Sequence, residues 1–219
     1  TSAAVVASMK HSVRCNRCCE DASRPDAAGE PPSYDHPVHS AEKRFLMLVY
    51  RVPSQPTSAR VGVWRELKKV GAHYLQQAVC VLPDREELRS VLDRVRTRID
   101  ELGGTSWYFE LHDLEDEMAQ RLVDGFLAQS AKDYDEIIEE CETKFFKEIE
   151  FERFRENYTF EEAEEIRQDY DKLVRWLQRV EQRDWMGSPG RAAAHAKVEE
   201  CERMLVEFEA DVYERSTED

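Results

Sequence analysis

The side chains of this sequence that are best suited to chemistry are basic and lie close together. From Thr57 to Val70 apolar residues recur every three or four positions, which is the spacing of an amphipathic helix. Arginine and lysine fill positions between them, and more follow in the next helical pattern. Guanidinium and ammonium groups gathered in this way bind the phosphates of nucleic acid. We therefore predict a nucleic-acid-binding set of Arg60, Arg65, Lys68, Lys69, Arg85 and Arg89.

Charge is divided unevenly along the 219 residues. Residues 41–100 hold 12 Lys and Arg against 7 Asp and Glu, a net charge of +5. Residues 101–219 hold 15 basic and 34 acidic side chains, a net charge of −19. A basic module beside an acidic one can present its positive face to double-stranded DNA. The same face could instead dock on the acidic half or form ordinary surface ion pairs, so charge alone leaves these roles open.

The sequence lacks the motifs of common catalytic sites. It has no G-x-S-x-G nucleophile elbow, no glycine-rich phosphate loop and no H-E-x-x-H zinc motif. Glu148, Glu150, Glu152 and Glu156, with His112–Asp113, form an alternative metal site, but the helical E-x-x-H pairing of such sites is absent. We expect no enzyme activity, no catalytic residues, no metal and no cofactor.

The N-terminal segment, residues 1–42, is predicted to be a disordered leader, since it is rich in proline, alanine and serine. Within it Cys15, Cys18 and Cys19 have C-x-x-C spacing, but no second pair follows to complete a zinc site. Metal binding there is therefore only an alternative.

Other cysteines and several tryptophans fit core positions. Three cysteines on apolar stripes are expected to be small buried side chains, with redox sensing as the alternative: Cys80, Cys141 and Cys201. Three tryptophans are expected to pack in the core rather than to stack on a ligand: Trp64, Trp107 and Trp176. Six cysteines in this pattern do not resemble a secreted disulfide framework, so we expect a cytoplasmic protein.

The basic helix is predicted to lie between two strands. Phe45–Val52 is a continuous apolar run closed by Pro53, and it predicts a buried strand. Gly71 can end the helix in a left-handed conformation, and Tyr74–Leu82 then predicts a second strand that ends before Pro83. The unit is predicted to be βαβ.

A second helix and a third strand follow. Asp84 is predicted to cap a helix whose apolar stripe is Leu88, Leu92, Val95 and Ile99, and the strand is Ser106–Leu111. Three strands and two helices within residues 43–112 predict a small sheet covered on one face, of the ferredoxin-like or split βαβ kind. The fold class is therefore α+β.

Residues 113–219 are predicted to form an acidic helical domain. A long helical region follows Asp113, with Gly125 or Gln129–Ser130 as candidate breaks. Thr159-x-x-Glu162 is a capping-box pattern that opens a second helix. A third helix is predicted to open at Ser188–Pro189 and to fold back on the second as an antiparallel hairpin.

The chain resembles the N-terminal domain of the ChrB chromate-resistance proteins. The resemblance rests on residues of the basic helix and the strand after it, and on a later run before the last helix: Arg60, Trp64–Arg65, Leu67–Lys68, Gly71–Ala72, Leu75, Val81–Leu82–Pro83, Arg183–Asp184–Trp185 and Ser188–Pro189–Gly190–Arg191. It implies a regulator of chromate-resistance operons. It also implies a ferredoxin-like module similar to those of phenylacetate-pathway repressors and small CRISPR-associated nucleases.

The sequence also departs from these families. The nucleases place a metal-binding Asp at the end of the first strand, where this chain has Tyr50–Arg51–Val52–Pro53, so we expect no nuclease activity there. ChrB proteins of full length carry a further C-terminal domain, which this chain is expected to lack because it stops at Asp219.

Two functions follow as hypotheses. The first is a cytoplasmic ChrB-like regulator or accessory protein that binds double-stranded DNA and assembles as a homodimer, with chromate or another oxyanion as a further candidate ligand. The second is a protein–protein interaction or homo-oligomerisation module that binds no nucleic acid. No apolar run is long enough for a membrane helix, so no membrane partner is expected.

Overall fold

The fold is built on a four-stranded antiparallel sheet in the computed structural model, which describes residues 44–55 and 57–218. The strand order is β2-β3-β1-β4, and each neighbouring pair is antiparallel. The strands are β1 (Phe45–Arg51), β2 (His73–Gln76), β3 (Val79–Pro83) and β4 (Thr105–Leu111). The predicted leader, residues 1–42, and its cysteine cluster lie outside the described residues.

The prediction of a single strand over Tyr74–Leu82 was wrong. The chain reverses at Gln77–Ala78, so β2 and β3 pair with each other and Tyr74 lies opposite Cys80. The reversal contains none of the glycine, proline or asparagine residues that usually mark a hairpin turn. The described part of the chain therefore has four strands rather than three.

Two helices, α1 (Thr57–Lys69) and α2 (Glu86–Glu101), cover one face of the sheet. The predicted stripe of α2 is confirmed, since all four of its residues are buried. Asp84 does not cap α2: the N-cap residue is Arg85, and the Asp84 carboxylate accepts hydrogen bonds from Arg89 instead. The α1 helix buries Val63 where the sequence predicted Trp64.

Two of the predicted core tryptophans are exposed. Trp64 is 45% exposed on α1, and Trp107 is 53% exposed on the edge strand β4. Trp176 does pack against the helical core, as predicted. The prediction failed for Trp64 because the buried face of α1 runs through Ala59, Val63 and Leu67, four residues apart, and for Trp107 because nothing in the described chain covers that part of the sheet.

The other face of the sheet is partly covered as well, contrary to the prediction of one covered face. Helix α3 (Asp116–Glu140) packs Phe126 against Phe45, with the two rings stacked at 6.2 Å. Gly125 lies against His73, where an added Cβ would stand 2.4 Å from the imidazole Nε2. Gly125 therefore serves close packing and does not break the helix.

The long helical region has its irregularity elsewhere than predicted. Helix α3 runs through Gln129–Ser130, and a π-helical segment, Cys141–Phe145, joins it to α4 (Phe146–Phe154). No residue pattern marks this segment in advance, because π-helical turns are made from ordinary helix-forming residues.

The last two helices form the predicted antiparallel hairpin. Helix α5 (Phe160–Glu181) has Thr159 as its N-cap, which accepts a hydrogen bond from the Glu162 amide, and α6 (Gly190–Glu218) begins directly after Pro189. Side-chain hydrogen bonds join the two helices at both ends of the hairpin. Arg167, in the first half of α5, donates to Glu209 in the second half of α6, and Arg191 at the start of α6 donates to Glu181 at the end of α5.

The α+β class is confirmed. The element order βαββαβ supports the finer ferredoxin-like assignment, which stays a prediction. The described residues fall within one compact unit, in which the sheet layer and the helices hold separate clusters of buried side chains, and the division at residue 112 also stays a prediction. Among the described helices, none is long and apolar enough to cross a membrane.

Candidate nucleic-acid interface

Four of the six predicted basic residues are exposed on the outer helical layer. Arg60, Arg65 and Lys69 project from α1, and Arg85 stands at the start of α2. The two helices run antiparallel, since Gly62 in the middle of α1 lies against Arg98 near the end of α2. Arg85 and Lys69 therefore belong to one end of this layer and Arg60 to the other.

Lys68 faces inward, towards α3. Its Nζ donates to the Gln129 side-chain oxygen at 2.9 Å, and the residue is only partly exposed. Burial lowers the pKa of Lys68, while the nearby Asp133 carboxylate opposes this change. Lys68 thus joins the sheet layer to the acidic helices, and its predicted role in DNA binding stays a prediction.

Arg89 is held by carboxylates. Its guanidinium donates to both oxygens of Asp84, at 2.6 and 2.7 Å, and to Glu110 at 2.5 Å. The hydrogen bond from Arg89, and then that with His112, lowers the pKa of Glu110 to about 2. The carboxylates of Asp84 and Glu110 neutralise the positive charge of Arg89, so a phosphate would have to compete with both of them for the guanidinium.

Two arginines that the predicted set omitted stand beside Lys69. Arg94 and Arg98 line a groove between α1 and α2, together with Lys69 and Glu66. Arg98 donates to Glu66 across the groove at 2.9 Å. The signal that could have revealed them is their spacing of four residues on α2, which places both on one face.

The groove consists of two adjoining cavities. One, of about 430 Å³, lies between α1 and α2, and the other, of about 290 Å³, extends to the end of α5. The second cavity adds the cations Arg179 and Arg183 to Lys69. Folding therefore brings together basic residues that are distant in the sequence.

The later run that resembles ChrB proteins forms the junction between the sheet and the helices. The Trp185 indole Nε1 donates to the Val70 carbonyl at 2.8 Å, and Gly71 fits beneath it. The Asp184 carboxylate accepts from the Ser188 amide and from the Tyr134 hydroxyl. These residues hold the α1 end of the groove in place, which is a structural role.

The alternative metal site is not assembled. His112 bonds to Glu110 at the end of the sheet, while the buried Glu152 accepts from Asn157 at 2.6 Å and contacts Arg155. Across the residues that the structure describes, no three His, Cys, Asp or Glu side chains gather in a way that could hold a metal ion.

The three cysteines of the described chain are buried, as predicted. Burial raises the pKa of the Cys80 thiol to about 12, which leaves it protonated and unreactive at neutral pH. Cys141 and Cys201 lie in the core of the helices, and the hydrogen bond between their thiols lowers the pKa of Cys141.

The fold and the groove define an α+β protein with a basic helical layer on a small sheet and an acidic bundle beside it. Comparison with known protein families identifies the family, because the sequence model of the family described as "Protein ChrB, N-terminal" matches residues 60–219. The chain therefore belongs to this ChrB N-terminal family.

A curated relative agrees with this family. The chain is similar to Protein ChrB of Cupriavidus metallidurans, with 30% identity over 78 residues. The matched stretch covers 36% of this chain and 24% of that relative, so the chain spans about a quarter of the length of the curated protein.

Proposed function

We propose that this chain is a DNA-binding regulator or accessory protein of chromate resistance, and that it binds double-stranded DNA through the groove between α1 and α2. The observation that carries the proposal is a set of exposed basic residues: Lys69, Arg94 and Arg98 line the groove, and Arg65 is exposed on α1 one turn before Lys69. A regulator of this kind works in the cytoplasm and needs no catalysis, so we also propose a cytoplasmic, non-enzymatic protein.

Phosphate contacts explain how the groove would act. Cations on two neighbouring helices can bind phosphates in succession and release the counterions held by the duplex, which gives affinity without reading sequence. Arg98 must share its charge with Glu66, whereas Arg65, Lys69 and Arg94 form no ion pair within the described part of the chain. These three residues should therefore contribute most.

Charge reversal tests the proposal. The triple variant Arg65→Glu, Lys69→Glu and Arg94→Glu should lose binding to a labelled promoter-length duplex, measured by fluorescence anisotropy at low salt. A matched control reverses three exposed basic residues of the acidic helices, Lys147, Arg175 and Arg203, and so changes the net charge by the same amount. Equal binding by the two variants would refute the assignment.

Chromate is a further candidate ligand of the same groove, since a divalent oxyanion suits the cations on both of its sides. Isothermal titration of the purified chain with chromate should release heat that the triple variant lacks. Absence of heat in the unmodified chain would remove chromate from the account and leave DNA binding untouched.

One observation favours a second function, self-association. Trp107 and Phe109 of the edge strand β4 are 53% and 45% exposed, and they lie opposite Val49 and Met47 of β1. Side chains opposite each other share a face of the sheet, so together they form an exposed apolar patch. A second copy of the chain could cover this patch and pair with β4, which would give a homodimer.

A further inference from the structure

A pocket separate from the groove lies at the other end of α1, against β2 and the end of β1. Its volume is about 370 Å³, which is within the range of small-ligand sites. The lining combines three aromatic rings, one cation and two amides: Tyr50, Arg60, Val61, Trp64, Tyr74, Gln76 and Gln77. This mixture of flat apolar surface and a few polar groups is typical of a binding site for a planar ligand.

Trp64 is the aromatic surface of the pocket. The side chain is 45% exposed although it is the largest apolar group on α1, and Arg60 precedes it by one helical turn. Residues four apart lie on the same face of a helix, so the guanidinium and the indole are neighbours over the pocket. An exposed indole beside a cation can stack a planar ring whose substituent is negatively charged.

Two phenols supply a hydrogen-bond donor. The hydroxyls of Tyr50 and Tyr74 are 3.0 Å apart and bond to each other. Burial raises the pKa of Tyr50 and that of Tyr74, so both phenols stay protonated at neutral pH. One bond between two hydroxyls uses one proton, which leaves the second O–H free to donate to a ligand.

The remaining polar groups favour an anion with a hydrogen-bonding edge. No carboxylate is among the lining residues, so the charge of Arg60 is not offset within the pocket. Gln76 and Gln77 are exposed and carry amides that can both donate and accept. These groups match the parts of a nucleotide. The indole can stack on the base, the two amides can bond to the edge of the base, and the guanidinium can bind the phosphate.

We propose that this pocket binds a nucleotide, with the base stacked on Trp64, its edge at Gln76 and Gln77, and its phosphate at Arg60. The ligand can be a free mononucleotide or an unpaired nucleotide of single-stranded DNA, which share this chemistry. A bare tetrahedral oxyanion would use Arg60 alone. The inference does not rest on duplex binding by the groove, because the residues of the two sites differ.

Adenosine monophosphate is a suitable probe, measured by isothermal titration on the full chain. The unmodified protein should bind one equivalent, and Trp64→Ala should weaken binding by about 5- to 150-fold, the usual loss of one base stack. Arg60→Gln should weaken binding of the nucleotide more than binding of adenosine. Trp107→Ala removes another exposed tryptophan, outside the pocket, and should leave nucleotide binding unchanged.

A labelled single-stranded oligonucleotide distinguishes the two sources. Tighter binding of the oligonucleotide than of the mononucleotide, with competition between them, would assign the pocket to single-stranded DNA. Binding of the mononucleotide alone would assign it to a free nucleotide. The triple variant of the groove should keep nucleotide binding, so failure of either proposal can be told from failure of the other.

Two results would overturn the inference. One is no binding of either probe by the unmodified chain at millimolar concentration. The other is an equal loss in Trp64→Ala and Trp107→Ala. Gln76→Ala provides a second pocket variant on an exposed strand residue, and circular dichroism checks that each variant is folded.

Discussion

Gly71 shows how one residue can decide whether the sheet and the helices fit together. Its φ of +79° is a conformation that other residues rarely adopt, and it ends α1 directly before β2. A Cβ at this position would stand 2.6 Å from the Arg183 carbonyl and 2.9 Å from the Trp185 indole nitrogen. Glycine is therefore required for two independent reasons.

Gly71→Ala should destabilise the protein more than Gly103→Ala. Gly103 also has a positive φ, +71°, but an added Cβ there meets no atom within 4 Å. The control should therefore cost only the left-handed conformation, about 1–2 kcal/mol, and Gly71→Ala should cost the clash in addition. Urea unfolding measures the free energy of unfolding of both variants. Equal decreases would mean that the backbone around Arg183 and Trp185 accommodates the added Cβ without a loss of stability.

Glu110 gives a prediction at acid pH. The hydrogen bond from Arg89, and then that with His112, holds the pKa of Glu110 at about 2, against 4.5 ordinarily. A lowered pKa in the folded state contributes stability that is present above about pH 4.5 and is lost as the pH falls towards 2.

The measurement is the free energy of urea unfolding of Glu110→Gln relative to the unmodified chain across this pH range. The difference should shrink as the pH falls, because the unmodified chain loses the ionised carboxylate. A difference that stays constant with pH would contradict the role of the Arg89 contact.

At the scale of elements, the cap of α5 can be tested directly. Thr159→Ala removes the hydroxyl that accepts from the Glu162 amide, and it should lower the free energy of unfolding by about 0.5–2 kcal/mol. Thr97 of α2 is the control, because its hydroxyl donates to the Asp93 carbonyl inside the helix. Thr97→Ala should be nearly neutral, since alanine favours the helix.

The edge strand β4 makes a separate prediction about self-association. If two copies of the chain associate through the exposed apolar patch around Trp107 and Phe109, the double variant Trp107→Lys, Phe109→Lys should weaken association by about 30-fold or more, measured by sedimentation equilibrium. Trp64→Lys changes another exposed tryptophan, on α1, and should leave association unchanged. A chain that sediments as a monomer before any substitution would exclude this second function.

Local pattern was sufficient for some elements and not for others. The stripe of α2 and the Thr159 cap could be read from the sequence because each depends on residues within a few turns. The β2–β3 hairpin could not, because its turn at Gln77–Ala78 has no turn-forming residue type. For α1 the pattern did not decide between Val63 and Trp64, because both are apolar and lie four and three residues before the buried Leu67.

The candidate site was less predictable than the fold, since its electrostatics depend on distant partners. Lys68 bonds to Gln129, 61 residues away, and Arg89 bonds to Glu110, 21 residues away. Neither partner follows from spacing along a helix. The concentration of basic residues in α1 and α2 could be seen in the sequence, whereas the distinction between free and paired members, and the place of Arg94 and Arg98 in the groove, required the fold.

For the whole molecule, the division of charge bears on the proposed binding of DNA. Residues 101–219 have a net charge of −19 and would repel a duplex, so binding, if our proposal is correct, is expected at the helical layer of the sheet. Of the alternatives that charge alone left open, docking is seen for Lys68, which bonds to Gln129 of α3, whereas Arg65 and Lys69 are exposed and their contact with phosphate stays a proposal.

The salt dependence of duplex binding tests the central claim most directly. Anisotropy of a labelled duplex across a salt series should give a log–log slope of roughly −3 to −4, as expected if Arg65, Lys69, Arg94 and Arg98 each contact one phosphate. The triple variant of the groove should lose most of that slope, and the Lys147, Arg175 and Arg203 control should keep it. No binding at low salt, or an unchanged slope in the triple variant, would contradict the account.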